Sequence, residues 1–304
     1  MRAARGPSPC RRPVEGPRAR VNYRHAFHAG NFADVFKHIL LARMLVALAR
    51  KPTPFRFLDT HAGTAWYDLT GDEATRGAEW ADGIGRLVPD AVPTALQELL
   101  APYLDAVGPR DAAGRPSGYP GSPAIAQALC RADDRIVCCE LHPDDAVALR
   151  LALKGDKRAK AVALDGYTAL NAFVPPPERR GLVLVDPPFE QSGEFDRMVA
   201  ALETAWRKWP TGVYALWYPI KNREAVLGFA AALQDGPVQR IAQVELVVDA
   251  SAFARGALAG CGMVIVNPPF GLETEAGALL PFLASRLARD GEAGSWRWRT
   301  LVPE

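Results

Sequence analysis

Two tetrapeptides in this chain could hold a flat, amine-bearing base: Asp186-Pro187-Pro188-Phe189 and Asn267-Pro268-Pro269-Phe270. In the first, proline donates no N–H and forces the residue before it into an extended conformation. Asp186 is therefore presented at the end of the segment that precedes it. Its carboxylate and the Pro187 carbonyl can both accept from an exocyclic amine, while the Phe189 ring stacks on the face of the base. In the second, an asparagine amide replaces the carboxylate, and a loop-forming Asn-Pro turn explains it equally well.

Further carboxylates stand where strands should end. Gly181–Val185 (GLVLV) is a short, uncharged, valine-rich run that reads as a buried parallel strand leading into Asp186. Phe55–Asp59 reads as the first strand, followed by a turn through His61 and Gly63 that resembles a nucleotide-binding loop. The turn lacks G-x-G-x-x-G, which disfavours a nicotinamide or flavin oxidoreductase. Arg135–Cys139 leads into Glu140, the candidate for ribose hydroxyls, and Ala159–Leu164 leads into Asp165-Gly166. Open α/β sheets bind ligands at the carboxyl ends of their strands, so these acids belong to one edge.

The elements needed to position them are legible. Asn31 is expected to cap a helix running to about Arg50 that carries Lys37 and His38, and Ser122, ahead of Pro123, to cap another. Strands also read at Val213–Tyr218, Ile241–Val248 and Met263–Val266. The fold class is thus α/β, Rossmann-like, with a seven-stranded, mostly parallel sheet whose last strand runs antiparallel. Residues 71–118 read as a small helical insertion in a domain covering 21–304. An antiparallel last strand puts Asn267 at the edge away from the four acids, so Asp186 is favoured as the reactive position.

The 304 residues are 49% hydrophobic and 23% charged, an ordinary globular composition. The net charge is +2, but residues 1–20 hold six arginines and one glutamate, so the rest of the chain is net negative by three. A generally basic nucleic-acid binder is excluded; any such surface must be local. The five cysteines show no metal-ligand spacing and read as buried free thiols of a reducing cytoplasm, and neither a metal nor a membrane span is expected. Residues 1–20 read as a disordered Arg/Pro-rich tail, with Val21 a possible alternative start.

Asp-Pro-Pro-aromatic is the motif of S-adenosylmethionine-dependent amino-methyltransferases. Taken in order, NYRHAFHAGNFADVFKH, FLDTHAG, YPGSP, ELHP, DG, DPPF, YALWYP, GMVIVNPP and the terminal VPE resemble the bacterial 23S rRNA adenine-N6 methyltransferase family. The resemblance covers Val21 to Glu304 and implies S-adenosylmethionine as cofactor. By motif position it implies that Lys37, His38, His61, Ser122, Glu140, Asp165, Gly166 and Asp186 line the cofactor pocket, joined by Gly63 from the loop reading. Asp186, with Pro187 and Phe189, would be catalytic, and Tyr23 would touch the RNA.

Position on the sheet sorts the cations. Lys221 and Arg223 follow a strand at the catalytic edge, with Tyr23, Arg24 and His25, and are the phosphate-contact candidates. Lys154, Lys157, Arg158, Lys160, Arg179 and Arg180 precede strands and read as solvated faces; Trp296-Arg297-Trp298-Arg299 reads as a packed terminal segment. The expected partner is 23S rRNA, naked or in an assembly intermediate, acted on by a cytoplasmic monomer. The alternatives are an adenine-N6 methyltransferase of DNA and an RNA-binding assembly factor with a vestigial cofactor site.

Overall fold

Helix α1 (Phe32–Ala49) begins where Asn31 Oδ1 accepts the N–H groups of Ala33 and Asp34, both at 3.0 Å, as expected of this cap. It is apolar on nearly all sides because it lies inside the protein, packed on α3 (Thr94–Val107), α4 (Ser122–Leu129) and α9 (Leu272–Leu287). The computed structural model describes residues 25–88, 91–112, 114–289 and 291–304. The tail 1–20, Tyr23 and Arg24 lie outside the described residues.

The strands are β1 (Arg56–Asp59), β2 (Trp66–Asp68), β3 (Gly118–Pro120), β4 (Arg135–Cys139), β5 (Ala159–Val162), β6 (Gly181–Val185), β7 (Val213–Ile220), β8 (Ile241–Val247), β9 (Gly260–Val266) and β10 (Ser295–Val302). Eight form one sheet in the order β10-β8-β9-β7-β6-β1-β4-β5. From β5 to β7 every pairing is parallel, and β9 lies antiparallel between β7 and β8. The α/β reading holds, with two differences in strand count. The terminal Trp/Arg segment is itself an eighth strand, β10, antiparallel to β8; its alternating arginines meet Glu245 and Gln243 and are satisfied by pairing, which hydrophobicity alone does not reveal. The three-residue strands β2 and β3 form a separate antiparallel pair that brackets the residues between them.

Strand alternation gives the sheet two apolar faces. Phe57, Leu182 and Leu184 join the layer under α1, α3, α4 and α9, while Leu58, Val183 and Val185 join the layer under α6 (Gly166–Phe173), α7 (Glu194–Lys208) and α8 (Arg223–Asp235). With both faces covered, β6 is buried throughout. Helix α2 (Asp72–Gly77) opens the 71–118 segment, and helix α5 (Pro143–Ala152) follows β4 where the His-Pro-Asp-Asp sequence predicts a helix start. Cys130, Cys138, Cys139 and Cys261 are buried free thiols; Cys10 lies outside the described residues. Among the described residues no helix is long and apolar enough to cross a membrane.

Candidate active site

The parallel strands β5, β4, β1 and β6 are neighbours, so their carboxyl ends deliver Asp165, Glu140, the Asp59–Gly63 turn and Asp186 side by side. The chain order reverses between β1 and β6, the switch point at which such sheets open a crevice. A cavity of about 510 Å³ lies there, lined by Lys37, His38, His61, Gly63, Ser122, Glu140, Asp165, Gly166, Asp186, Pro187 and Phe189. The structure therefore brings together every described residue expected to hold cofactor or base. All five histidines of the chain line this one cavity.

Each wall has a local cause. Glu140 leaves β4 with Oε2 accepting from Gly63 N at 2.9 Å and Oε1 from His142 N at 2.7 Å, which fixes both carboxylate oxygens at the mouth of the β1 turn. Gly63 has φ +61°, and a Cβ there would meet the Tyr67 hydroxyl at 2.1 Å. Asp165 caps α6 through Oδ1, which accepts from Thr168 N at 2.8 Å and Thr168 Oγ1 at 2.9 Å. Gly166 is required by the close approach of His61, whose ring would lie 2.5 Å from an added Cβ. The His61 ring, bonded to Thr60 Oγ1 at 2.8 Å and edge-on to Tyr167, is pushed down to about 4 by burial and so is neutral at pH 7.

Ser122 corrects the sequence reading. The cap of α4 is Gly121, in an extended conformation, and Ser122 occupies the first turn beside Pro123. Its side chain is thereby left to face Asp59, a fully buried carboxyl at the end of β1. Burial pushes Asp59 up to about 7; the Asp186 charge adds to the rise, while Ser122 and the His61 N–H oppose it. The folded protein holds this proton more tightly than the unfolded chain, where a carboxyl titrates near 4. Stability from this group is therefore full below about pH 4 and falls as pH rises toward 7. A shift of this size corresponds to at most about 4 kcal/mol. Asp59→Asn is expected to gain on the native protein in urea-unfolding midpoint at pH 8 far more than at pH 5; a pH-independent difference would count against this assignment.

At the far wall, Asp186 is not alone. Lys37 Nζ lies 2.6 Å from Asp186 Oδ2 and 2.8 Å from Asp34 Oδ1, and His25 Nε2 lies 2.8 Å from Asp34 Oδ2. Burial by itself would lower the Lys37 pKa, but Asp186 and Asp34 outweigh it and hold the ammonium well above its ordinary value. Burial would likewise raise Asp34, yet His25 and Lys37 keep it well below the carboxylate range. A line of polar contacts thus runs from His25 at the cavity mouth through Asp34 and Lys37 to Asp186. Asp34 escaped the sequence reading; its i, i+3 spacing from Lys37 on an expected helix was the available signal. His38 takes another path: burial holds it well below its usual value, and its Nδ1 lies 2.8 Å from the Tyr119 hydroxyl.

The aromatic wall comes from Phe189 and Trp217. Phe189 has φ +52°, a left-handed conformation costly for a bulky residue, and its ring stands edge-on to Phe195 and Trp217. Trp217, on β7, was not foreseen; a tryptophan in the uncharged, apolar β7 run reads as core. Lys221 reaches the cavity and His28 pairs with Glu79 across its mouth at 3.0 Å. Arg223 does not line it: its guanidinium is 2.7 Å from Glu245 and stacks on Phe253. The second tetrapeptide is also remote. β9 runs antiparallel, so Asn267 sits at the opposite edge, where Nδ2 donates to the carbonyls of Pro210 and Gly212 at 2.8 and 2.7 Å.

The donor set fits a cationic nucleoside. Eight carboxylates line the cavity against Lys37, Arg197 and Lys221, and Asp165 keeps Oδ2 free of hydrogen bonds among the described residues. A sulfonium and an α-amino group suit such a field, and Asp165 and Glu140 suit an adenosine amine and its ribose.

Comparison with known proteins gives a consistent picture. Residues 52–302 match the model of the family described as "Ribosomal RNA large subunit methyltransferase D, RlmJ". A Haemophilus influenzae protein called "Ribosomal RNA large subunit methyltransferase J" is 39% identical over 285 residues, covering 93% of this chain and all of that one. An Escherichia coli K12 protein of the same name is 38% identical over 288 residues, with the same coverage. Among solved structures, a Legionella pneumophila protein superposes with a TM-score of 0.80 at 32% identity, over 90% of this chain and 98% of that one.

Proposed function

The chain belongs to the family described as ribosomal RNA large subunit methyltransferase D, RlmJ, and from that premise we propose that it methylates the exocyclic N6 amine of one adenine in 23S rRNA. One observation carries the reading: Asp186 shares a single cavity, on adjacent strands, with the acids suited to a bound adenosine, Glu140 and Asp165. S-adenosylmethionine, when bound, supplies the electrophilic methyl group. Glu140, Asp165, Gly63, His61, Ser122 and Gly166 hold it.

The target adenine must leave its stack to enter such a cavity. Its amine is a poor nucleophile because the nitrogen lone pair is delocalised into the ring. Asp186 and the Pro187 carbonyl accept its two N–H bonds, which favours a pyramidal nitrogen with a directed lone pair. Phe189, held by its left-handed backbone, stacks the base, and placement of the reactants contributes a large share of the rate. Lys37 Nζ, 2.6 Å from Asp186 Oδ2, fixes the position of that carboxylate, and the proton leaves the product amine through Asp186 to solvent at the His25 mouth. Lys221 and His25 meet the RNA at that mouth, and Tyr23 and Arg24, outside the described residues, are read as further RNA contacts. We read residues 21–304 as one domain with 71–118 inserted, working as a cytoplasmic monomer on naked RNA or an assembly intermediate.

Labelled methyl transfer to protein-free 23S transcript and to duplex DNA tests the substrate. Incorporation into RNA alone is expected. Transfer to DNA alone would replace this reading with the DNA enzyme, and no transfer despite cofactor binding would favour an assembly factor.

A further inference from the structure

The cavity that must receive an RNA base holds eight carboxylates against three lysines and arginines in its walls. A phosphate backbone is repelled there, so the RNA must be held mainly by cations elsewhere. The opposite edge of the same sheet supplies them. At the amino ends of β5, β4, β1 and β6 stand Arg158, Arg135, Arg56 and Arg180, one per strand. The register makes them neighbours: Arg56 pairs with Arg135, Ile136 with Ala159, and Arg56 with Gly181. Four guanidinium groups therefore start from successive strands along an edge roughly 15 Å long.

Their partners neutralise two of the four and leave the charge of the other two. Glu178 answers Arg56 at 3.0 Å and Asp156 answers Arg158 at 2.7 Å. Arg135 instead donates to the carbonyls of Asp133 and Asp134 at 3.1 and 2.8 Å, and Arg180 to those of Leu48 and Thr53. Carbonyl oxygens fix a guanidinium without neutralising it. Around this row, Lys51, Lys157 and Arg179 are exposed, and their side chains have no hydrogen bond or ion pair among the described residues. Arg179 also lines an open groove with Pro177 and Trp209.

We propose that this amino-terminal sheet edge is a second RNA-binding surface, which grips the phosphate backbone of a segment distant from the base being modified. The inference rests on the reading of the chain as an rRNA methyltransferase. The catalytic and basic edges face opposite ways, so a short hairpin engaged in the cavity does not reach the arginine row. A long, folded RNA reaches both. On this proposal cations that the sequence reads as solvated faces, Lys157 and Arg179 among them, form one docking surface.

The test is the triple variant Lys51→Glu/Lys157→Glu/Arg179→Glu, none of whose positions touches the cavity. Its KM for full-length 23S transcript is expected to rise about tenfold or more with kcat unchanged, while KM for a short hairpin bearing the target adenine stays at the native value. The slope of log affinity against log salt for the long RNA should fall by about two. Native KM and salt slope on the long transcript, or equal losses on both RNAs, would overturn the proposal. Failure of the functional reading is distinguished by the native protein, which would then methylate neither RNA; unchanged S-adenosylmethionine binding by the variant controls for folding.

Discussion

Replacing Asp186 by alanine is expected to lower the methyl-transfer rate at least a thousandfold while leaving S-adenosylmethionine affinity within a few-fold of native. The size follows from the role. A preorganised acceptor aimed at the group that becomes charged contributes on the order of a hundred- to a thousandfold by itself. Here the same side chain also orients the nucleophile and ends the charge line from Lys37. Binding is spared because Glu140, Asp165 and the Gly63 turn remain in place, each fixed by its own backbone hydrogen bonds. Equilibrium titration and single-turnover kinetics separate the two effects. Loss of cofactor binding equal to the loss of rate would make Asp186 a binding residue only.

The second large effect belongs to Lys37. In the native protein its ammonium stands between Asp34 and Asp186, with Lys37 and Asp34 both buried. Lys37→Met leaves two carboxylates facing each other without their cation, a change that costs roughly 3–5 kcal/mol when one partner of a buried charge group is removed. The pair relieves itself by sharing a proton. A protonated Asp186 donates where it should accept, so the rate at pH 7 is expected to fall about a hundredfold. Raising the pH removes the shared proton, so the variant should recover part of its activity as the pH rises above 7. The native enzyme, in which Lys37 Nζ stands between the two carboxylates, should show no such recovery. A rate at pH 7 equal to native, or a variant profile parallel to the native one, would separate Lys37 from the chemistry.

Much of this arrangement is visible in the sequence because it depends on chain order. Four carboxylates follow four runs of strand character, and parallel connection obliges their ends to share an edge. The same reasoning removes Asn267, since an antiparallel strand ends on the other side. What escaped depends on tertiary pairing. Strand β10 carries arginines whose polarity is satisfied by Glu245 and Gln243, partners fifty residues and more away. Ser122 looks like a cap because Ser-Pro favours one, but Gly121 serves that purpose and leaves the Ser122 side chain facing Asp59. Arg223 follows a strand at the catalytic edge, as expected, and then turns to a buried glutamate that no local pattern predicts. The arginine row is the same lesson at larger scale: each residue reads as a solvated charge alone, and only the register of four strands shows that they are aligned.

A donor methyl group and an adenine amine are proposed to meet beside residue 186. The most direct measurement digests methylated 23S transcript to nucleosides and identifies the modified one by mass spectrometry against standards. A single N6-methyladenosine per transcript, absent when Asp186→Ala replaces the native protein, is the predicted result. Methyl groups on a ring nitrogen, a ring carbon, a ribose or another base would contradict it.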